Sequence, residues 1–155
     1  MRKVAWLLSL LIPVTVQASN ELHITITGMI YIKTSCSLTQ PPEVDFGDIL
    51  TTGIDNNDYE KPIDITLSCS NRNPLQSVEV RVDAPGASGN MFPVNGADGF
   101  ELALLRNGAP QLLNTPFVPA ADGPLHLSLQ PVKKVGENYK LGDFTAQATV
   151  TVEII

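Results

Sequence analysis

The sequence predicts an all-β sandwich. Short apolar runs with period-two alternation recur along the chain, and clusters of Pro and Gly separate them. No stretch of about twelve residues carries a helical apolar stripe unbroken by Pro or Gly. Two further alternating segments stand at the chain ends, residues 22–30 and 144–154, so the sandwich reads as missing one strand and carrying a spare.

Taken in order, the chain opens with Arg2 and Lys3, then an apolar run over residues 4–16, then Val16-Gln17-Ala18. This pattern predicts an export signal over residues 1–18, cleaved before Ser19. The run contains Pro13 and is too short to span a bilayer as a helix. Residues 22–30 place Leu22, Ile24, Ile26 and Ile30 on one face of a strand, with His23, Thr25 and Thr27 on the other. Inner strands are expected over residues 63–69, 78–82, 100–105 and 125–129. Asn107-Gly108 marks a hairpin, kept short by Pro110. In the closing strand the inward phase is Phe144, Ala146, Ala148, Val150, Val152 and Ile154. Strand lengths and turn spacing suit a sandwich of Ig-like type.

Cys36 and Cys69 are the two cysteines of a chain expected to be exported, and a disulfide between them is the default reading. Closing that loop removes unfolded-state entropy worth about 4 kcal/mol in the chain-entropy account. Without the signal, 137 residues remain, with eight Lys and Arg against 16 Asp and Glu, a net charge of −8. That length suits one domain. An acidic balance without a basic cluster argues against nucleic acid and anionic membrane as partners.

Catalytic chemistry finds no foothold. His23 and His126 both fall on the polar phase of their strands, and no metalloprotease, nucleophile-elbow or phosphate-loop motif occurs. Asp55-Asn56-Asn57-Asp58 lacks the glycine and the distant closing carboxylate of a calcium loop, so it reads as a plain acidic turn. No cofactor is implied.

Several segments, in order and spacing, resemble subunits of the bacterial chaperone-usher fimbrial family. They are the Gly28-centred extension, Cys36-Ser-Leu, Val44-Asp-Phe-Gly-Asp, the run from Lys61 to Cys69, the run from Gly99 to Gly108, and Gly142-Asp-Phe-Thr-Ala-Gln-Ala-Thr-Val. The resemblance implies a structural minor pilin without enzymatic activity, exported through the periplasm to a surface fimbria where it contributes to adhesion. It implies an incomplete Ig-like domain at residues 33–155 and a donor extension at residues 19–32. A periplasmic chaperone, an outer-membrane usher and neighbouring pilin subunits are the implied partners. Leu22, Ile24, Ile26, Gly28 and Ile30 would then fill a groove beside the closing strand of a neighbour. Burial of the four large side chains is worth about 6–12 kcal/mol as an upper bound. Gly28 suits a shallow point in such a groove, or marks a bend. Family members commonly carry Tyr next to last, where this chain has Ile154. A tip adhesin, a self-complemented Ig-like domain and a small secreted enzyme are the alternatives.

Overall fold

The computed structural model describes residues 24–39 and 43–155. The expected signal peptide, with Leu22 and His23, lies outside the described residues. The chain divides into two units, one running through Ile30 and the other spanning Tyr31–Ile155. In the first, residues 24–30 adopt no regular secondary structure, and Ile24, Ile26 and Ile30 are exposed.

The second unit is a sandwich-like arrangement of antiparallel sheets. Its elements are β1 (Ser35–Leu38), α1 (Thr51–Asp55), β2 (Lys61–Ile63), β3 (Thr66–Ser70), β4 (Val78–Asp83), β5 (Met91–Pro93) and β6 (Asn95–Asp98). They continue with β7 (Phe100–Arg106), β8 (Ala109–Pro110), β9 (Gly123–Pro124), β10 (Leu127–Lys133), β11 (Lys140–Thr145) and β12 (Thr149–Ile154). One sheet has the order β1-β3-β9, and another the order β2-β10-β7-β5 with β8 also on β7. β11 pairs with β6, and β12 with β4.

The core follows from these pairings. Along β4, Val78, Val80 and Val82 are buried while Glu79, Arg81 and Asp83 are not, the alternation of a strand with one face inward. β7 has partners on both edges, and Leu102 through Leu105 are all buried on it. Cys36 lies directly opposite Cys69 in the β1–β3 register, and the two form a disulfide.

Several of the expected strands differ from those observed, for local reasons. Residues 63–69 do not form one strand: Ile63 pairs with Leu127 in one sheet and Thr66 with Pro124 in another, so the chain changes sheets at Asp64 and Ile65. The Ile65 N–H donates to the Ile63 carbonyl at 2.9 Å, which closes the bend. The strand expected from Leu125 begins at Leu127, because His126 has φ +52° and breaks the extended backbone. His126 itself is exposed. The closing strand is two pieces, β11 starting earlier at Lys140 and β12 ending at Ile154, with residues 146–148 between them unpaired. The strand expected at 100–105 extends one residue to Arg106, where the hairpin begins. There Leu105 and Arg106 pair with Pro110 and Ala109, while Asn107 and Gly108 take φ of +52° and +74°.

Helix α1 was not expected, since Thr-Thr-Gly-Ile-Asp is a weak helix former. Tertiary contacts hold it. Ile54 is buried, the Tyr59 ring occupies the space a Cβ on Gly53 would need, and the Tyr59 hydroxyl accepts the Leu50 N–H at 3.0 Å.

Two substitutions test this core. Leu104, 0% exposed, lies at its centre, and Leu104→Ala should cost about 2–5 kcal/mol in denaturant unfolding of the purified protein. Val135, fully exposed, should tolerate alanine within about 0.5 kcal/mol.

Candidate functional site: an open groove beside the last strand

β12 is paired along one edge. Its register on β4 runs from Thr149 opposite Asp83 to Ile154 opposite Val78. Beyond it, Ile155 and Ser77 exchange both backbone hydrogen bonds, at 2.8 and 2.9 Å. Hydrogen-bonded pairs alternate in an antiparallel ladder, so Thr149, Thr151 and Glu153 turn their backbone groups to β4. Val150, Val152 and Ile154 turn theirs to the other edge. β1 approaches that edge without pairing to it. Among the described residues no hydrogen bond reaches these outward N–H and C=O groups.

Beside this edge lies a groove of about 290 Å³. Its floor is the core itself, with Ile65, Val82, Leu102, Leu104 and Leu127 among the lining side chains. One wall carries Phe144, Ala146, Ala148 and Val150, the other Val44 and Phe46. The structure thus brings four of the six inward-phase residues to one surface. Val150, Val152 and Ile154 stand opposite Val82, Val80 and Val78 and are half-buried, whereas Ala148 is exposed at the groove mouth. Thr151 is also half-buried, outside the expected phase.

Sequence reasoning about the site missed Val44 and Phe46. Their spacing of two and apolar character were the available signal, but residues 43–49 form no strand and make no backbone hydrogen bond to one among the described residues. Phe144 forms the groove's end, with its ring 5.1 Å from Phe100, edge-on, and 6.0 Å from Phe46.

A family model for fimbrial proteins matches residues 24–154, which spans both the exposed segment and the grooved body. The chain belongs to the chaperone-usher fimbrial protein family. A search of curated protein sequences found no match. Among solved structures, the pilin is similar to the P pilus rod subunit PapA, with TM-score 0.59 and 19% identity over 77% of this chain and 99% of that one. It is similar to the P pilus adaptor subunit PapF, with TM-score 0.51 and 23% identity over 76% and 93%. It is also similar to the subunit of a chaperone-usher pilus studied for rod uncoiling, with TM-score 0.60 and 19% identity over 91% and 98%. At these identities the likeness is one of fold.

The pilin's described residues hold no group of three or more His, Cys, Asp or Glu side chains placed to bind a metal ion. Nor do they include a helix long and apolar enough to cross a membrane. Asp55, from the acidic turn, instead accepts the Tyr139 hydroxyl at 2.7 Å and lies 3.6 Å from Lys133 Nζ. Lys133 Nζ also sits 5.0 Å from the centre of the Tyr139 ring. Nearby, Lys134 bonds Asp98 at 2.8 Å, and this bond with the Gly99 N–H holds the Asp98 carboxyl below the usual carboxylate range.

Burial, and then the hydrogen bond to Asp55, push the Tyr139 phenol up to about 12. The fold favours the neutral phenol, so its contribution to stability is complete below about pH 10 and declines as pH rises towards about 12. Phenolate absorbance should therefore show a step near pH 12, and Tyr139→Phe should remove it.

Proposed function

We propose that this pilin is a structural subunit polymerised by donor-strand exchange, and that the groove beside β12 receives the N-terminal extension of a neighbouring subunit. The observation that carries the reading is that, among the described residues, β12 is paired on one edge only, next to a groove floored by core side chains. A strand added there meets outward backbone groups every second residue and an apolar floor at the same period.

The chain's own extension has the matching pattern. Ile24, Ile26 and Ile30 share one phase with Leu22 and Gly28, and the isoleucines are exposed at 74%, 89% and 101%. Register is fixed by that phase, since a slip of one residue would bring Thr25 and Thr27 into the groove. Before assembly the same groove needs protection from water and from wrong partners. A periplasmic chaperone supplies it on this reading, and an outer-membrane usher exchanges the chaperone for the next subunit. The protein is then exported by way of the periplasm to a surface fimbria, serves adhesion as a structural element, and uses no cofactor. Ile154, half-buried, offers the chaperone an apolar side chain in place of a phenol.

Ile26→Asp places a carboxylate where the donor strand faces an apolar floor, at a cost of several kcal/mol. Assembly into fibres should fail, as read by heat-resistant polymer bands on gels and by electron microscopy. Thr25→Asp, on the opposite phase, should assemble normally. Both variants should yield as much chaperone-bound subunit as the parent. Equal assembly by the two variants would refute the donor-strand reading.

A further inference from the structure

A second cavity adjoins the groove. It is a polar cleft of about 500 Å³ that shares Val44, Phe46 and Phe144 with the groove as a common wall. Its rim carries Glu43, Asp45, Asp48 and Asp143 against one lysine, Lys140, all exposed and in no ion pair with another described residue, so carboxylates outnumber the cation. Leu141, 80% exposed, stands among them. The cleft therefore combines negative charge with an uncovered apolar side chain, and continues the line of the groove past Phe144.

The segment following the donor residues has the complementary character. Tyr31 and Ile32 are exposed at 60% and 69%, and Ile32 continues the even-numbered phase of Ile24 to Ile30. Lys33 is exposed and is the only Lys or Arg in residues 19–33. Thr34 then fixes the chain to its own body. It is buried, donates its hydroxyl to the Asn71 carbonyl at 2.9 Å and accepts the Asn73 N–H at 3.0 Å.

Direction and length bring the two together. A strand that continues the sandwich after β12 runs antiparallel to it, so its C-terminal end lies toward Phe144. With Ile30 at the Phe144 end, residues 31–33 extend about 10 Å further, at about 3.4 Å per residue. The cleft follows β11 from Phe144 back to Lys140, about 14 Å on the same measure.

We infer that the polar cleft seats residues 31–33 of a second copy of this chain whose extension fills the groove. The ammonium of Lys33 lies among the carboxylates of Asp45, Asp48 and Asp143, and Ile32 covers Leu141. This inference rests on the donor-strand reading and adds a second contact to it. Because Thr34 is fixed immediately afterwards, the contact also brings the two bodies together at the cleft.

Synthetic peptides spanning residues 20–30 and 20–33 test it on the chaperone-bound subunit, leaving the subunit's own fold unaltered. Offered in equal amounts, the longer peptide should occupy about ten times as many subunits, as counted by native mass spectrometry. Lys33→Glu in the longer peptide should reduce that preference about threefold at low salt, and less at high salt. A subunit carrying Asp143→Lys should favour the Lys33→Glu peptide over the parent peptide. Equal occupancy by the short and long peptides would overturn the cleft assignment and leave the groove reading intact. Occupancy by neither would overturn the groove reading itself.

Discussion

A β-strand has two edges, and among the described residues of this pilin the last strand has a partner on one of them. β12 is bound to β4 over six residues, and its outward backbone groups at Val150, Val152 and Ile154 face away from that ladder. Backbone donors and acceptors left without partners in an apolar setting are costly, and an open edge invites another strand. The remaining features of the body can be understood as consequences. The groove lies over the buried side chains of Ile65, Leu102 and Leu104, on the side where β12 has no partner strand among the described residues. The half-burial of Val150, Val152 and Ile154 reflects the same gap.

The rest of the body keeps that gap from collapsing. β7 sits between β10 and β5 and is buried on both faces, so the floor of the groove is a rigid surface and not a loose collection of side chains. Phe144 is held between Phe100 and Phe46, which fixes where the apolar groove ends and the polar cleft begins. Val44 and Phe46 belong to a segment with no strand pairing, held by packing alone among the described residues. One wall of the groove thus runs from the end of β11 to the start of β12, and the other is formed by a segment outside the sheets.

Much of this was legible in the sequence because the relevant signal is local. Period-two alternation located β4, β7 and β12, and the inward phase of the closing strand lines the groove at Phe144, Ala146, Ala148 and Val150. Asn107-Gly108 announced its turn through the conformational freedom of those two residues. Information that depends on distant partners was not legible. The change of sheet at Asp64 and Ile65 interrupts a run that reads as one strand, and only the identity of the partners, Leu127 before it and Pro124 after, reveals the break. Helix α1 depends on Tyr59, and the role of Val44 and Phe46 depends on Phe144, about a hundred residues away. The cleft combines residues from three separate stretches of chain, and nothing local to any one of them shows that they meet.

The position of the disulfide has a mechanical meaning. In a fibre built by strand exchange, tension along the axis arrives at each body through its extension, and the first fixed residue is Thr34. Cys36 follows two residues later and is covalently joined to Cys69 on β3. A load entering β1 therefore passes to β3 through a covalent bond, and β1 cannot be peeled from the sheet one hydrogen bond at a time. In such a fibre the cross-link would place the body's resistance to pulling at the point where the pull begins.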